Sequence, residues 1–201
     1  MSRLGKKPVS LPEKVKAEFK NGILEISGPL GKLTQKIDSR MGVKIENNSV
    51  LVQSLGNTRE HNMLHGLHRG LVLNMVEGVT KGYKKELKGV GLGYKAEIKG
   101  GKTLNMKVGF SHDVNVEIPP TVKVTSVLDA DKNMIITITG TDKYEVGSFA
   151  AKIKAVKPPE PYKGFGIRYT KSETTADGKN VIYIDEKIIR KAGKAAASGK
   201  K

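Results

Sequence analysis

Apolar and polar positions change period along the chain, and each change marks an element. From Ile23 to Gln53 the apolar residues fall into short runs, Ile23–Ser27, Leu33–Ile37, Val43–Glu46 and Ser49–Gln53. Gly28-Pro29-Leu30-Gly31 and Asn47-Asn48 separate them. Runs of this length between turn residues predict strands, and Asn47-Asn48 predicts a two-residue hairpin because asparagine tolerates positive φ. At Asn57 the pattern becomes helical. Asn57 stands three positions before Glu60, the spacing of a capping box. Met63, Leu64, Leu67, Leu71, Val72, Met75 and Val76 then form a stripe of period 3.6, ended by Gly78 and Gly82. This first part predicts a small antiparallel sheet with a helix over one face.

The same order then recurs. Strand-like pieces run Lys84–Val90, Leu92–Lys99, Thr103–Val108, Val114–Ile118, Val122–Val127 and Met134–Thr139, with a turn at Gly100-Gly101 and a break at Pro119-Pro120. Asp142 stands three positions before Glu145, and Val146, Phe149, Ala150, Ile153 and Val156 share one helical face. The repeat period is about 80 residues. The expected fold is therefore α+β: two tandem similar domains, each an antiparallel sheet covered by a helix, with basic termini. The boundaries read as 1–82, 83–169 and a basic tail at 170–201. Asp177-Gly178 before Val181-Ile182-Tyr183-Ile184 suggests a small hairpin in that tail. Met1–Lys7, with Arg3, Lys6 and Lys7, reads as a mobile basic arm.

Composition narrows the class. The net charge is +16 and the pI about 9.9. A field of that sign attracts polyanions, above all nucleic acid or an anionic surface. There are no cysteines, which excludes a disulfide scaffold, a thiolate nucleophile and a thiolate zinc site. No apolar run approaches the roughly 20 residues of a membrane span, and no secretory segment follows Met1, so the expected location is cytoplasmic. Basicity continues to the C-terminus, where Lys187, Arg190, Lys191, Lys194, Lys200 and Lys201 alternate with alanine and glycine and no acid follows Glu186. Such an end is expected to stay disordered until it meets a polyanion.

The densest candidate site is Pro158–Tyr169. Pro158, Pro159 and Pro161 stop the preceding helix and stiffen the chain, so the loop loses little entropy on docking. Lys157, Lys163 and Arg168 are candidates for phosphate contacts, with Tyr162 against a sugar or base and glycines letting the backbone approach a partner. Lys163-Gly164-Phe165-Gly166 matches the start of an aromatic RNA-recognition motif, but Ile167-Arg168 breaks that motif. Aromatic residues are 5% of the chain, too few for stacking to be the main mode of binding. Gly89, Gly91 and Gly93 have the spacing G-x-G-x-G before a strand, not the G-x-G-x-x-G before a helix that cradles a dinucleotide. They read as a bulge or a close approach to RNA, with Tyr94 and Lys95 as contacts. His61, His65 and His68 lie at i, i+4 and i+7, but Asn62 stands where a zinc protease has glutamate. They read as helix-surface or interface histidines. No metal, cofactor or enzyme activity is expected.

Four pieces in this order carry a resemblance: the opening Ser2-Arg3, Gly89-Val90-Gly91 to Tyr94-Lys95-Ala96, Gly109-Phe110-Ser111-His112, and Pro159-Glu160-Pro161-Tyr162-Lys163-Gly164. Over residues 1 to 169 the chain resembles the bacterial large-subunit ribosomal protein six family. The resemblance implies two tandem sheet-plus-helix domains bound to large-subunit rRNA beside the sarcin–ricin loop, near the stalk base where translation factors dock. It adds Ser111 and His112 to the expected rRNA contacts, beside the cations Arg3, Lys85, Lys88, Arg190, Lys191 and Lys194. Neighbouring ribosomal proteins and transient proximity to translation factors are the other implied partners; no membrane and no small-molecule substrate are. Two positions depart from the family. Phe165 stands where a second lysine is usual, and either stacks on a base or packs; Asp113 stands where proline is usual. The rival reading is a free nucleic-acid chaperone, cationic but not fixed in an assembly.

Overall fold

The computed structural model describes residues 3–46, 48–129, 131–174 and 181–188. They divide into two compact units, the first running to Tyr83 and adding Gly140–Lys143, the second taking Lys84–Thr139 and continuing from Tyr144.

The first unit holds β1 (Val9–Ser10), β2 (Lys16–Lys20), β3 (Ile23–Gly28), β4 (Gly31–Lys36), β5 (Met41–Glu46), β6 (Ser49–Ser54) and α1 (Arg59–Thr80). These strands make two three-stranded sheets, ordered β1-β6-β5 and β2-β3-β4, where the pattern suggested one. The β5–β6 hairpin closes with Glu46 opposite Ser49, and Asn48 has φ 60°; Asn47 lies outside the described residues. Strand β2 escaped the hydrophobic pattern, since only Ala17 and Phe19 interrupt its charges. Its turn signal was nevertheless present: Asn21-Gly22, at φ 50° and 76°, joins it to β3 with both residues left-handed.

Helix α1 starts one residue later than the capping-box spacing implied. Thr58, not Asn57, is the cap, and its hydroxyl accepts from the His61 backbone N–H. The helix runs through Gly78 to Thr80, and Gly82 at φ 72° follows the C-cap Lys81. Gly78 is required by packing, because a Cβ there would stand 2.1 Å from the Thr141 carbonyl oxygen. The expected stripe is rotated. Val72, Met75, Val76 and Val79 join Leu24, Ile26, Val50 and Val52 in one core, but Met63 and Leu67 are exposed. The first turns bury His65 and His68 instead. His65 Nε2 donates to the Val52 carbonyl at 2.9 Å, and His68 Nε2 accepts from the Asp38 backbone N–H at 3.4 Å. Burial lowers the pKa of His68, with Asp38 opposing. These are core histidines, not surface ones, and each ring sets its Nε2 on a backbone group while its Nδ1 is buried without a partner among the described residues. Nor is the N-terminal segment a free arm from Gly5 on: Gly5 is buried against the His65 ring, and Arg69 Nε donates to the Lys7 carbonyl at 3.3 Å.

The second unit holds β7 (Tyr83–Val90), β8 (Lys95–Lys99), β9 (Thr103–Lys107), β10 (Val114–Glu117), β11 (Val122–Leu128), β12 (Met134–Gly140), α2 (Lys143–Val156), β13 (Gly166–Thr174) and β14 (Val181–Asp185). The sheet orders are β8-β9-β10 and β11-β12-β7-β13-β14. Read against the first unit, β7-β12-β11 reproduces β1-β6-β5 and β8-β9-β10 reproduces β2-β3-β4. The second unit thus repeats the first and adds β13 and β14 beyond β7. The fold is α+β with the plan used twice. Gly100 and Gly101 (φ 59° and 68°) turn β8 into β9. Val146, Phe149, Ala150 and Ile153 of α2 are buried as the helical stripe predicted. Glu145 accepts from the Thr121 hydroxyl. Leu92-Gly93-Tyr94, expected in a strand, instead form a turn in which the Tyr94 N–H donates to the Gly91 carbonyl at 3.4 Å. Antiparallel pairing of β13 with β14 extends the sheet past position 169, and the turn at Asp177-Gly178 lies outside the described residues.

Candidate nucleic-acid interface

The proline-rich loop folds on itself. The Ile167 N–H donates to the Lys157 carbonyl at 2.8 Å, Glu160 N–H to the Phe165 carbonyl at 2.8 Å, and Gly164 N–H to the Glu160 carbonyl at 3.1 Å. Gly166 has φ 134°, and a Cβ on it would lie 2.6 Å from the Pro158 carbonyl oxygen and 2.7 Å from Pro159 Cα. That glycine serves the loop's own closure rather than the approach of a partner. The fold leaves Tyr162 57% exposed, Phe165 37% exposed and Lys163 exposed.

Two further turns meet this loop around one ring. Tyr94 is buried, 7% exposed, and a Cβ on Gly91 would stand 2.5 Å from its ring. Gly89 and Gly109 also face it, each with a Cβ position 3.5 Å from a Tyr94 ring carbon. Burial raises the Tyr94 pKa, and the Glu160 carboxylate raises it further. Within the glycine spacing that resembles a nucleotide fingerprint, Gly91 makes room for the protein's own Tyr94 and Gly89 for Met134, whose Cε a Cβ there would meet at 2.5 Å. From the loop, Lys157 reaches over the Phe110 ring, its ammonium 4.8 Å from the centroid. Phe110 is stacked with His112, centroids 5.8 Å apart and planes inclined by 16°. Ser111 and His112 are exposed on this turn, and Lys95 is exposed next to Tyr94 in the chain.

Other expected contacts are placed differently. Lys88 is 7% exposed, its ammonium 3.1 Å from Asp129 and 5.9 Å from the Tyr183 ring centroid. Arg168 lies on β13 directly opposite Lys88, and its guanidinium is 3.0 Å from Asp185, with 14% of its side chain exposed. Like charges at facing positions repel, and each is held here by its own carboxylate. Both charges are neutralised within the protein. Lys85 is exposed on β7, 5.6 Å from the Tyr169 ring centroid, at the edge of a cleft of about 690 Å³ that Lys84 and Lys171 also line. Lys154, missed by the sequence reading, lies 4.5 Å from the same ring centroid and 2.6 Å from Glu186. Arg3 is exposed in the first unit. Arg190, Lys191 and Lys194 lie outside the described residues.

Among the described residues no group of three or more His, Cys, Asp or Glu could hold a metal, and no helix is long and apolar enough to cross a membrane. What the second unit presents is exposed cations and aromatic rings on hydrogen-bonded turns, the arrangement of a polyanion-binding protein. Comparison with known proteins agrees. The family described as Ribosomal protein L6 matches twice, over residues 11–82 and 90–170. The chain is 44% identical over 201 residues to the large ribosomal subunit protein uL6 of Caldicellulosiruptor saccharolyticus, covering 100% of both chains. It is 42% identical over 196 residues to uL6 of Christiangramia forsetii, covering 98% of this chain and 100% of that one. The uL6 of Prochlorococcus marinus is 44% identical over 201 residues, again 100% of each. The chain belongs to the ribosomal protein L6 family, whose members are structural, non-enzymatic components of the ribosome.

Proposed function

We propose that the protein is a structural constituent of the large ribosomal subunit in the cytoplasm. It binds large-subunit rRNA through its second domain and holds it by charge neutralisation and placement. Residues 1–82 face neighbouring proteins or solvent, 83–169 take the RNA, and the basic tail at 170–201 adds phosphate contacts through Arg190, Lys191 and Lys194. The observation that carries this reading is the meeting of the 109–113 and 157–166 loops, where Lys157 stands over Phe110. Lys163, Lys95, Tyr162, Ser111 and His112 are exposed on the same loops or next to them, so phosphates can reach them without rearrangement. The resemblance supports a position beside the sarcin–ricin loop and the stalk base, with translation factors passing close by.

Salt titration of the full chain on large-subunit rRNA tests the phosphate role. Lys163→Ala is expected to weaken binding and to lower the slope of log affinity against log salt by about one contact. An unchanged slope would mean that Lys163 is only solvated. Sedimentation separates the ribosomal reading from the chaperone: the protein is expected to travel with large subunits after a moderate salt wash, and recovery mainly in the soluble fraction would support the chaperone.

A further inference from the structure

Phe110 and His112 form a stacked pair at the surface, and the pair has no structural task that requires its exposure. Phe110 is 42% exposed, and His112 is exposed. A stack that served only the fold would be covered, because leaving an aromatic ring in water forgoes its burial. The pair is instead held in place from below. Asn105, 5% exposed, donates to Asp113 at 3.3 Å and to Asn115 at 2.8 Å, and Lys107 lies 3.9 Å from Asp113. Asp113 thus ties the loop to β9 through Asn105 and Lys107. A ring set in advance loses little entropy when a second ring lands on it. One face of His112 meets Phe110; among the described residues no other ring stacks on the imidazole.

The geometry points to an unpaired nucleobase as the ligand of this pair. The base continues the Phe110–His112 stack on the face of His112 turned away from Phe110. The inference rests on the rRNA reading above and sharpens it. Duplex RNA keeps its bases stacked inside and offers proteins phosphates and 2′-hydroxyls, whereas splayed bases of loops and bulges can lie on aromatic rings. The 109–113 turn therefore selects a loop or bulge, while the neighbouring lysines contact phosphates without regard to base.

The test uses the full chain and a large-subunit rRNA transcript, with small-subunit rRNA as competitor, and reads affinity, salt slope and chemical reactivity of the bases. Phe110→Leu and His112→Ala are each expected to weaken binding roughly five- to a hundredfold, the range of one base–aromatic stack. The salt slope stays as in the parent, and one unpaired base protected by the parent becomes reactive. His112→Phe keeps both protection and affinity. Thermal melts of Phe110→Leu check that the fold is intact, and His112, being exposed, gives a variant independent of folding. Affinities within twofold of the parent for both variants, or a reduced salt slope with no base exposed, would overturn the stacking. If the parent itself shows no preference for large-subunit rRNA, the rRNA reading fails and this inference with it. If the parent binds and the variants match it, only the stacking fails.

Discussion

Replacing Arg168 by alanine separates a charge that faces RNA from one that holds the fold. Its guanidinium is 3.0 Å from Asp185, with the two side chains 14% and 26% exposed. Removing one partner of a fully buried pair costs about 3–5 kcal/mol, because the other charge is left without compensation. Here a quarter of Asp185 still meets water, and losing Arg168 relieves its repulsion of Lys88 across the β7–β13 ladder, worth a few tenths of a kcal/mol. The net loss is about 2–3 kcal/mol. At about 2–4 °C per kcal/mol for a chain of this size, Tm falls by roughly 4–12 °C. The assay is a thermal melt of Arg168→Ala, Asp185→Ala and the double variant, beside salt titrations on rRNA. The double variant is expected to recover part of the loss, since it leaves no unpaired charge. The salt slope of Arg168→Ala is expected to match the parent. An unchanged Tm together with a slope lowered by about one contact would refute this reasoning and return Arg168 to the RNA surface.

Two further outcomes follow from the same packing. Gly166→Ala places a Cβ 2.6 Å from the Pro158 carbonyl oxygen at φ 134°, so urea denaturation is expected to show a loss of about 2 kcal/mol or more, with the 157–166 loop displaced. A variant as stable as the parent would show that the loop has room to move. Glu186 has its pKa lowered by the hydrogen bond from Lys154, by the Tyr169 backbone N–H and by the Lys154 charge, against burial. A folded pKa below the unfolded value contributes stability above that value, near 4.5, and loses it as pH falls through the folded pKa. Glu186→Gln is therefore expected to lower Tm at pH 7, with a deficit that shrinks as pH falls below about 4.5; a deficit that stays constant with pH would show that shape, not charge, matters there.

The repeat was legible because its signals are local. Caps, apolar stripes and paired turn residues specify hairpins and helices without reference to distant contacts, and both halves carry them in the same order. What was not legible depended on which side of an element a side chain ends. Arg168 read as part of a loop because Pro158, Pro159 and Pro161 precede it, yet β13 begins at Gly166 and turns Arg168 inward against Asp185. Met63 and Leu67 fit the same helical period as the buried positions, and only the backbone partners of His65 and His68 decide which face goes in. Gly89 and Gly91 read as a bulge or a close approach to RNA. A glycine cannot say whether its own chain or a partner makes a close approach, and here the chain itself does, with Met134 at Gly89 and Tyr94 at Gly91.

Net charge and binding charge consequently come apart in this protein. The +16 of the chain sets the long-range field that draws in a polyanion. Short-range holding depends on which cations remain uncommitted, and two of the most plausible, Lys88 and Arg168, are each within 3.1 Å of an internal carboxylate. The two cations stand at facing positions of the β7–β13 ladder, beyond which the second unit carries the strands the first lacks. They lie on or beside the added strands, into the first of which the 157–166 loop leads. Lys95 and Lys163 are exposed on turns of the same unit, with Lys157 on the Phe110 ring. A count of phosphate contacts taken from composition overstates the salt slope by the cations the fold has used for itself.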